Sequence, residues 1–169
     1  MEEVWKPVKE HFSVSSMGRV KRNNGDKILP QYLGRRDGYW FVNLGTIEDK
    51  KYKNVHRMVC EAFHESDGVR NSVDHIDGDR KNNHVGNLRW ATVSENNANK
   101  EKRSGKCTSS YKGVSWNKRK EAWQVQFSFK KKRYFQGYFK REQELDAAKA
   151  YNEGVVRVAG DFFKLNDVV

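Results

Sequence analysis

A carboxylate beside a histidine, followed at a distance by spaced asparagines, is a set of groups able to hydrolyse a phosphodiester. Residues 72–100, SVDHIDGDRKNNHVGNLRWATVSENNANK, hold such a set in Asp74, His75, Asn87, Asn96 and Asn99. A phosphodiester repels nucleophiles and expels a poor alkoxide, so its hydrolysis needs a base on water and a cation at the leaving oxygen. Adjacent residues of an extended strand point to opposite sides. Asp74 can therefore bind a metal while His75 faces a water, provided an element behind the strand brings a second ligand. Asn96 and Asn99 both stand where that element would be. Carboxylate, amide oxygen, water and phosphate oxygen together suit a hard ion such as magnesium or manganese better than zinc. An imidazole with an unperturbed pKa of about 6.5 is largely neutral, and available as a base, near pH 7.

A calcium loop is the sharpest competing reading, because Asp74, Asp77 and Asp79 cluster around Gly78. It fails on spacing: a loop counted from Asp74 has Val85 at the twelfth position, where the closing glutamate belongs.

The elements that must position these groups are legible in outline. Ser72 to Ile76 and Leu88 to Ala91 read as paired strands joined by the Asx-rich loop DGDRKNNHVGN. Thr92 or Ser94 can cap a helix starting near Val93, with Glu95 favourably placed in its first turn. Just upstream, VHRMVCEAF spaces Val55, Met58, Val59, Ala62 and Phe63 as one helical face. Before it, FSVSSMGRVKR, DKILPQYL and GYWFVNLG read as short strands, with Asn24-Gly25 as a hairpin signal. Arg19, Lys21, Arg22, Arg35 and Arg36 lie on or beside these strands. They form a basic sheet able to face DNA, and read equally well as ordinary solvated strand charge.

Residues 100–109, KEKRSGKCTS, lack apolar periodicity and read as a linker. Beyond it YKGVSW, AWQVQFSF and RYFQGYF read as three strands joined by basic turns. In the middle one Trp123, Val125 and Phe127 alternate with Gln124, Gln126 and Ser128, giving an apolar and a polar face. Leu145, Ala148, Tyr151 and Val155 then form a helical stripe, where Ala147 and Ala148 permit close approach to the sheet.

Charge points to a polyanionic partner. The 169 residues carry 33 Lys+Arg against 22 Asp+Glu, a formal net charge of +11. Residues 100–141 concentrate 14 of those cations against Glu101 and Glu121, interleaved with aromatic residues that can build a core. Cys60 and Cys107 are far apart, so neither a disulfide framework nor a structural zinc site is indicated. No signal pattern and no membrane-length apolar run is present, so the expected compartment is cytoplasmic.

The motif VDHIDGDRKNNHVGNLRWATVSENNANK resembles the core of the HNH nucleases, in particular the phage and intron-encoded homing endonucleases. The resemblance implies two strands and a helix around one divalent ion. It implies Asp74 and Asn96 as metal ligands, His75 as general base, and Asn87 as holder of the loop that orients the histidine. WKPVKEHFSVSSMGRVKR through GYWFVNL and VHRMVCEAF is similar to the module that precedes the core in many phage homing enzymes, which assigns His56 to the fold. The segments from YKGVSWNKRKEAWQVQF to GDFFKLN look like an Apetala/ethylene-response-factor-type DNA-binding domain. That family reads the major groove with the open sheet face, implying Lys112, Ser115, Asn117, Gln126, Ser128, Arg133 and Phe135 as contacts, with Lys118 in the adjoining turn. Plant members carry arginines where this chain has Ser115, Asn117 and Ser128. A GC-rich target is therefore not carried over, arginine being the usual reader of guanine.

The expected fold is α+β in small modules: an antiparallel β module over 1–54, a ββα-metal core with its preceding helix over 55–100, a linker over 101–109, and a three-stranded sheet on one helix over 110–169. The expected activity is site-specific, magnesium-dependent DNA cleavage in a bacterial host cell, leaving 5′-phosphate and 3′-hydroxyl ends. One centre per chain implies nicking by a monomer, or a double-strand break by a weak dimer. The alternatives are an inactive DNA-binding regulator and a nonspecific or structure-selective nuclease.

Overall fold

The computed structural model describes residues 2–9, 11–46, 48–102, 105 and 107–168. By packing the chain divides into two compact units, residues 1–92 and 93–169, a coarser partition than the four segments read from the sequence. The linker expected over 101–109 falls partly outside the described residues, at Arg103, Ser104 and Lys106.

The first unit gathers three small antiparallel sheets and one helix around a shared core. Strands β1 (Trp5–Lys9), β2 (Phe12–Ser15) and β3 (Val20–Arg22) form the first sheet, and β4 (Tyr32–Leu33), β5 (Trp40–Asn43) and β6 (Tyr52–Asn54) the second. Asn24-Gly25 does turn the chain, but it leads only to a bridge between Lys21 and Ile28. Helix α1 (Val55–Phe63) has the bounds its apolar spacing predicts, and buries Val55, Met58, Val59 and Cys60. These residues share one core with Val14, Val20, Val42, Val73 and Leu88. Residues 1–54 and the HNH-like hairpin are thus backed by the same helix. Burial pushes the Cys60 thiol up to about 12, so it packs as an unreactive apolar group. Strands β7 (Ser72–His75) and β8 (Leu88–Ala91) pair as the sequence suggests, β7 stopping one residue short of Ile76, with Asp74 opposite Arg89 and His75 opposite Leu88.

The second unit contains α2 (Val93–Ala98) and an antiparallel sheet in the order β11-β10-β9, formed by β9 (Val114–Asn117), β10 (Ala122–Phe129) and β11 (Lys132–Phe139). Helix α3 (Glu144–Ala159) covers one face. As the alternation predicts, Trp123, Val125, Phe127 and Phe129 point into a core with Ala147, Ala148, Tyr151, Val155 and Phe163. Gly113 sits at φ +75°, and a Cβ there would lie 2.1 Å from Tyr151 Cδ2. Only glycine permits both the backbone and the contact. No helix among the described residues is long and apolar enough to cross a membrane.

Candidate active site and nucleic-acid interface

Strand β7 ends on the two chemical groups. Asp74 is buried, and its Oδ2 accepts from Arg89 Nε at 2.9 Å, with Nη2 also at 2.9 Å. The cross-strand register makes this pair, since opposite residues of an antiparallel ladder place their side chains on the same face. His75, equally buried, faces a different set of neighbours. Its Nε2 lies 3.2 Å from Asn83 Oδ1. The Tyr39 ring stacks on it at 5.7 Å and 26°, and the His56 ring meets it edge-on at 5.3 Å and 67°. Arg80 holds the other end of this cluster, placing its guanidinium 5.1 Å from the Tyr39 ring while Nη1 donates to Asp37 O at 2.7 Å.

Desolvation is the main electrostatic fact at these rings. It lowers the pKa of His75 below its ordinary value, against the opposing pull of Asn83 and of the Asp77, Asp74 and Asp79 carboxylates. It takes His56 down to about 4, helped by the neighbouring His75 and Arg57 and opposed by Asp37. Both imidazoles are therefore neutral near pH 7, the form a general base requires.

The loop from Ile76 to Asn87 is closed by its own asparagines. Asn87 Nδ2 donates to Asp77 Oδ1 and to Asn82 O, both at 2.9 Å, while its Oδ1 accepts from Asp77 N at 3.0 Å. Asn82 Nδ2 adds a bond to Asp77 Oδ2 at 2.7 Å. Slight burial works against the Asp77 anion, but the donors of Asn82, Asn87 and the Asp79 amide outweigh it and hold the carboxyl below its usual range. Outside the loop, His64 Nε2 contacts Val85 O at 3.0 Å and Trp90 Nε1 donates to His64 O at 3.1 Å.

Asn96 and Asn99 both lie in or at the end of α2, which belongs to the second unit; Asn96 is half-buried and Asn99 buried. Ser94 lies inside this helix, and its Oγ accepts from Lys130 N at 2.9 Å.

The basic residues of the first sheet are largely engaged. Arg19 pairs with Glu3 and lies over the Trp5 ring, Lys21 pairs with Asp26 at 3.0 Å beside the same ring, and Arg22 lies over Phe12. Arg35 and Arg36 are exposed in the turn after β4. In the second unit the open sheet face carries Ser115 and Asn117 from β9, Gln124, Gln126 and Ser128 from β10, and Arg133, Phe135 and Tyr138 from β11, as the register places them. Asn117 Nδ2 donates to Gln124 Oε1 at 2.8 Å, and Gln124 Nε2 to Gln126 Oε1 at 3.2 Å, forming an amide ladder across the face. Lys118 is exposed in the turn after β9. Lys112, expected at the DNA, instead turns inward, donating Nζ to the carbonyls of Ala98 at 2.6 Å and Lys100 at 2.5 Å. Burial draws its pKa down to about 8.

Four participants escaped the sequence reading. Asn83 and Arg89 had sequence signals only through the hairpin register and the second Asn of the loop. Tyr39 had none. Tyr138 reaches the open face because the strand bulges where Val125 opposes Gly137 and Gln126 opposes Phe135, so the alternation slips by one residue. Gly137, at φ +135°, was the available signal.

Residues 53–98 match the HNH endonuclease family model HNH_3, and residues 3–45 match the NUMOD4 motif. The chain thus contains an HNH endonuclease domain preceded by a NUMOD4 motif. Among its relatives are two uncharacterized HNH endonucleases of Acanthamoeba polyphaga mimivirus. One is 40% identical over 101 residues, covering 56% of this chain and 25% of the relative. The other is 32% identical over 87 residues, covering 52% and 26%. The chain is homologous to DNA endonuclease I-HmuI of Bacillus phage SP01, 36% identical over 102 residues, covering 59% of this chain and 58% of that protein. A solved structure described as DNA binding and cleavage by the HNH homing endonuclease I-HmuI aligns with a TM-score of 0.45 at 36% identity, covering 54% of this chain and 53% of that one. The chain therefore spans between a quarter and three-fifths of the length of these curated relatives.

Proposed function

We propose that this chain is a site-specific HNH homing endonuclease that hydrolyses DNA phosphodiesters at the β7–β8 hairpin. The carrying observation is the end of β7, where a buried carboxylate and a buried neutral imidazole sit side by side within the segment that matches the HNH family. In this reading His75 takes a proton from the attacking water. Arg89 orients Asp74 through Oδ2, and Asn87 holds the loop that carries Asn83 to the imidazole. The donor chemistry fits a hard divalent ion, magnesium or manganese, held by Asp74 and Asn96, with Asn99 as the alternative amide. A carboxylate and an amide oxygen are hard donors, and no thiolate is among them. When bound, that ion supplies positive charge to the departing oxygen. Water attack with departure of the 3′ oxygen leaves a 5′-phosphate and a 3′-hydroxyl.

The flanking modules supply site choice. Residues 110–169 act as an Apetala/ethylene-response-factor-type reader, presenting Ser115, Asn117, Gln126, Ser128, Arg133 and Phe135 to the major groove, with Lys118 at its edge. Arg35 and Arg36, exposed after β4, offer their charges to the backbone. One centre per chain makes the monomer a nicking enzyme, acting on double-stranded DNA inside a bacterial cell that hosts a phage or prophage carrying the gene.

Incubating the chain with phage and plasmid DNA and magnesium tests the reading. The wild type should nick, chelation should stop it, and Asp74→Ala should abolish nicking while binding persists. Unchanged nicking by Asp74→Ala would overturn the metal assignment.

A further inference from the structure

We propose that Gln126 and Phe135, opposed across β10 and β11, read one A·T pair in the major groove, Gln126 taking the adenine and Phe135 the thymine methyl group. The inference deepens the reading of this sheet face as a DNA-reading surface, and rests on it. The polarity of an amide ladder carries it. Asn117 Oδ1 accepts from the backbone amides of Arg119 at 3.1 Å and Lys120 at 3.0 Å, which fixes that oxygen toward the turn. Its Nδ2 must then face Gln124, whose Oε1 accepts at 2.8 Å. Gln124 in turn donates Nε2 to Gln126 Oε1 at 3.2 Å. Two backbone donors thus set the direction of all three amides. Gln126 ends the row, and keeps one oxygen lone pair and both Nε2 hydrogens without a partner among the described residues. A flipped Gln126 would set its Nε2 against that of Gln124, donor against donor.

An amide that offers an acceptor and a donor together matches adenine, which shows N7 as acceptor and N6 as donor in the major groove. Guanine shows two acceptors there, N7 and O6, and one of them would meet Gln126 Oε1. The ladder therefore selects between the purines. Register puts Phe135 directly opposite Gln126, and opposed residues of an antiparallel pair keep their Cβ atoms about 5 Å apart. The Phe135 ring is 53% exposed and meets the exposed Tyr138 ring at 5.0 Å and 61°. Beside an amide on adenine, such a ring faces the partner base, where thymine carries a C5 methyl group and cytosine has none. The cations concentrated in residues 100–141 supply the attraction to phosphate that brings duplex DNA to this face.

The test is selection of bound duplexes from a randomised library by the full chain, without divalent metal so that nothing is cut, followed by affinity measurements on the selected site. The wild type should select an A·T pair at one position whose preference Gln126→Ala erases. Gln126→Glu, an acceptor that matches cytosine N4, should move that preference toward C·G. Replacing the adenine by 7-deazaadenine should weaken wild-type binding about fivefold, and replacing its thymine by uracil about threefold. Gln126→Ala should not respond to the first change, nor Phe135→Ala to the second. The modified duplexes act on the wild-type protein, so they decide even where a variant does not fold. An A·T preference that Gln126→Ala leaves intact, a G·C preference that it erases, or wild-type binding indifferent to either modified base overturns the inference and leaves the face a DNA reader. If Gln126→Ala, Phe135→Ala and Arg133→Ala change neither affinity nor the selected site, the face does not read DNA, and the reading beneath the inference falls with it.

Discussion

Protonating His56 should destabilise the first unit's core by about 3 kcal/mol. This ring is buried between Tyr39 and His75, and its Nδ1 has no hydrogen-bond partner among the described residues. Burial, then His75, then Arg57 lower its pKa from 6.5 to about 4, with Asp37 opposing. A histidine whose folded pKa is depressed binds its proton more readily when unfolded. Its contribution is therefore complete above about pH 6.5, declines as pH falls, and is fully lost near pH 4. A shift of this size corresponds to about 3 kcal/mol, at 1.36 kcal/mol per pH unit. That is a large share of the roughly 5–15 kcal/mol that stabilises an ordinary domain. His56→Phe removes the titration while keeping a ring in the site. Urea unfolding followed through the Met58 methyl resonance, from pH 4 to 8, reports this core alone, since Met58 is fully buried in it. The wild type should lose about 3 kcal/mol more than the variant between pH 6.5 and 4. His75 titrates in both proteins, so the difference reports His56 together with its coupling to His75. Wild-type and variant curves that run parallel across that range would refute the argument, whatever their constant offset.

Three further outcomes follow from the packing. Arg89→Met keeps the aliphatic stem but removes the cation facing a buried carboxylate, and should cost about 3 kcal/mol in urea unfolding of the first unit; a loss under about 1 kcal/mol would mean the pair is not structural. The two-residue turn Lys130-Lys131 holds φ +47° and +64°, as a type I′ turn requires, so replacing it by Asn-Gly should raise the stability of the second unit by about 0.5–1 kcal/mol in thermal unfolding, whereas a loss would contradict that reading of the turn. Arg133→Ala on the open sheet face should weaken DNA binding and reduce the slope of log affinity against log salt by about one if it meets a phosphate, and relax preference at one base if it meets a base edge; unchanged binding would remove that face from the interface.

The fold was legible wherever one periodicity dominated a segment. Helix α1 and strand β10 have the bounds read from the sequence because each has one apolar and one polar face, and burial follows the pattern. Two short, polar strands were not legible. Strand β1 carries Pro7, and β6 consists of Tyr-Lys-Asn; both owe their pairing to neighbours, not to their own composition. The chemical residues Asp74 and His75 were legible by type and adjacency, and Asn87 by its place in the loop. The groups that act on them were not, because Arg89 meets Asp74 through strand register, Asn83 meets His75 through loop closure, and Tyr39 comes from another sheet. Lys112 shows the converse. The family resemblance implied it as a DNA contact, yet two backbone carbonyls capture its ammonium.

The central claim is that His75 drives hydrolysis of DNA at chosen sites. Wild type and His75→Ala, each with magnesium and a random-sequence plasmid library, should bind DNA alike, and the new ends should then be sequenced and their chemistry determined. The account predicts single-strand breaks at a recurring sequence with 5′-phosphate and 3′-hydroxyl ends, present with the wild type and absent with His75→Ala. DNA bound but uncut by the wild type, or cut equally by His75→Ala, would contradict it.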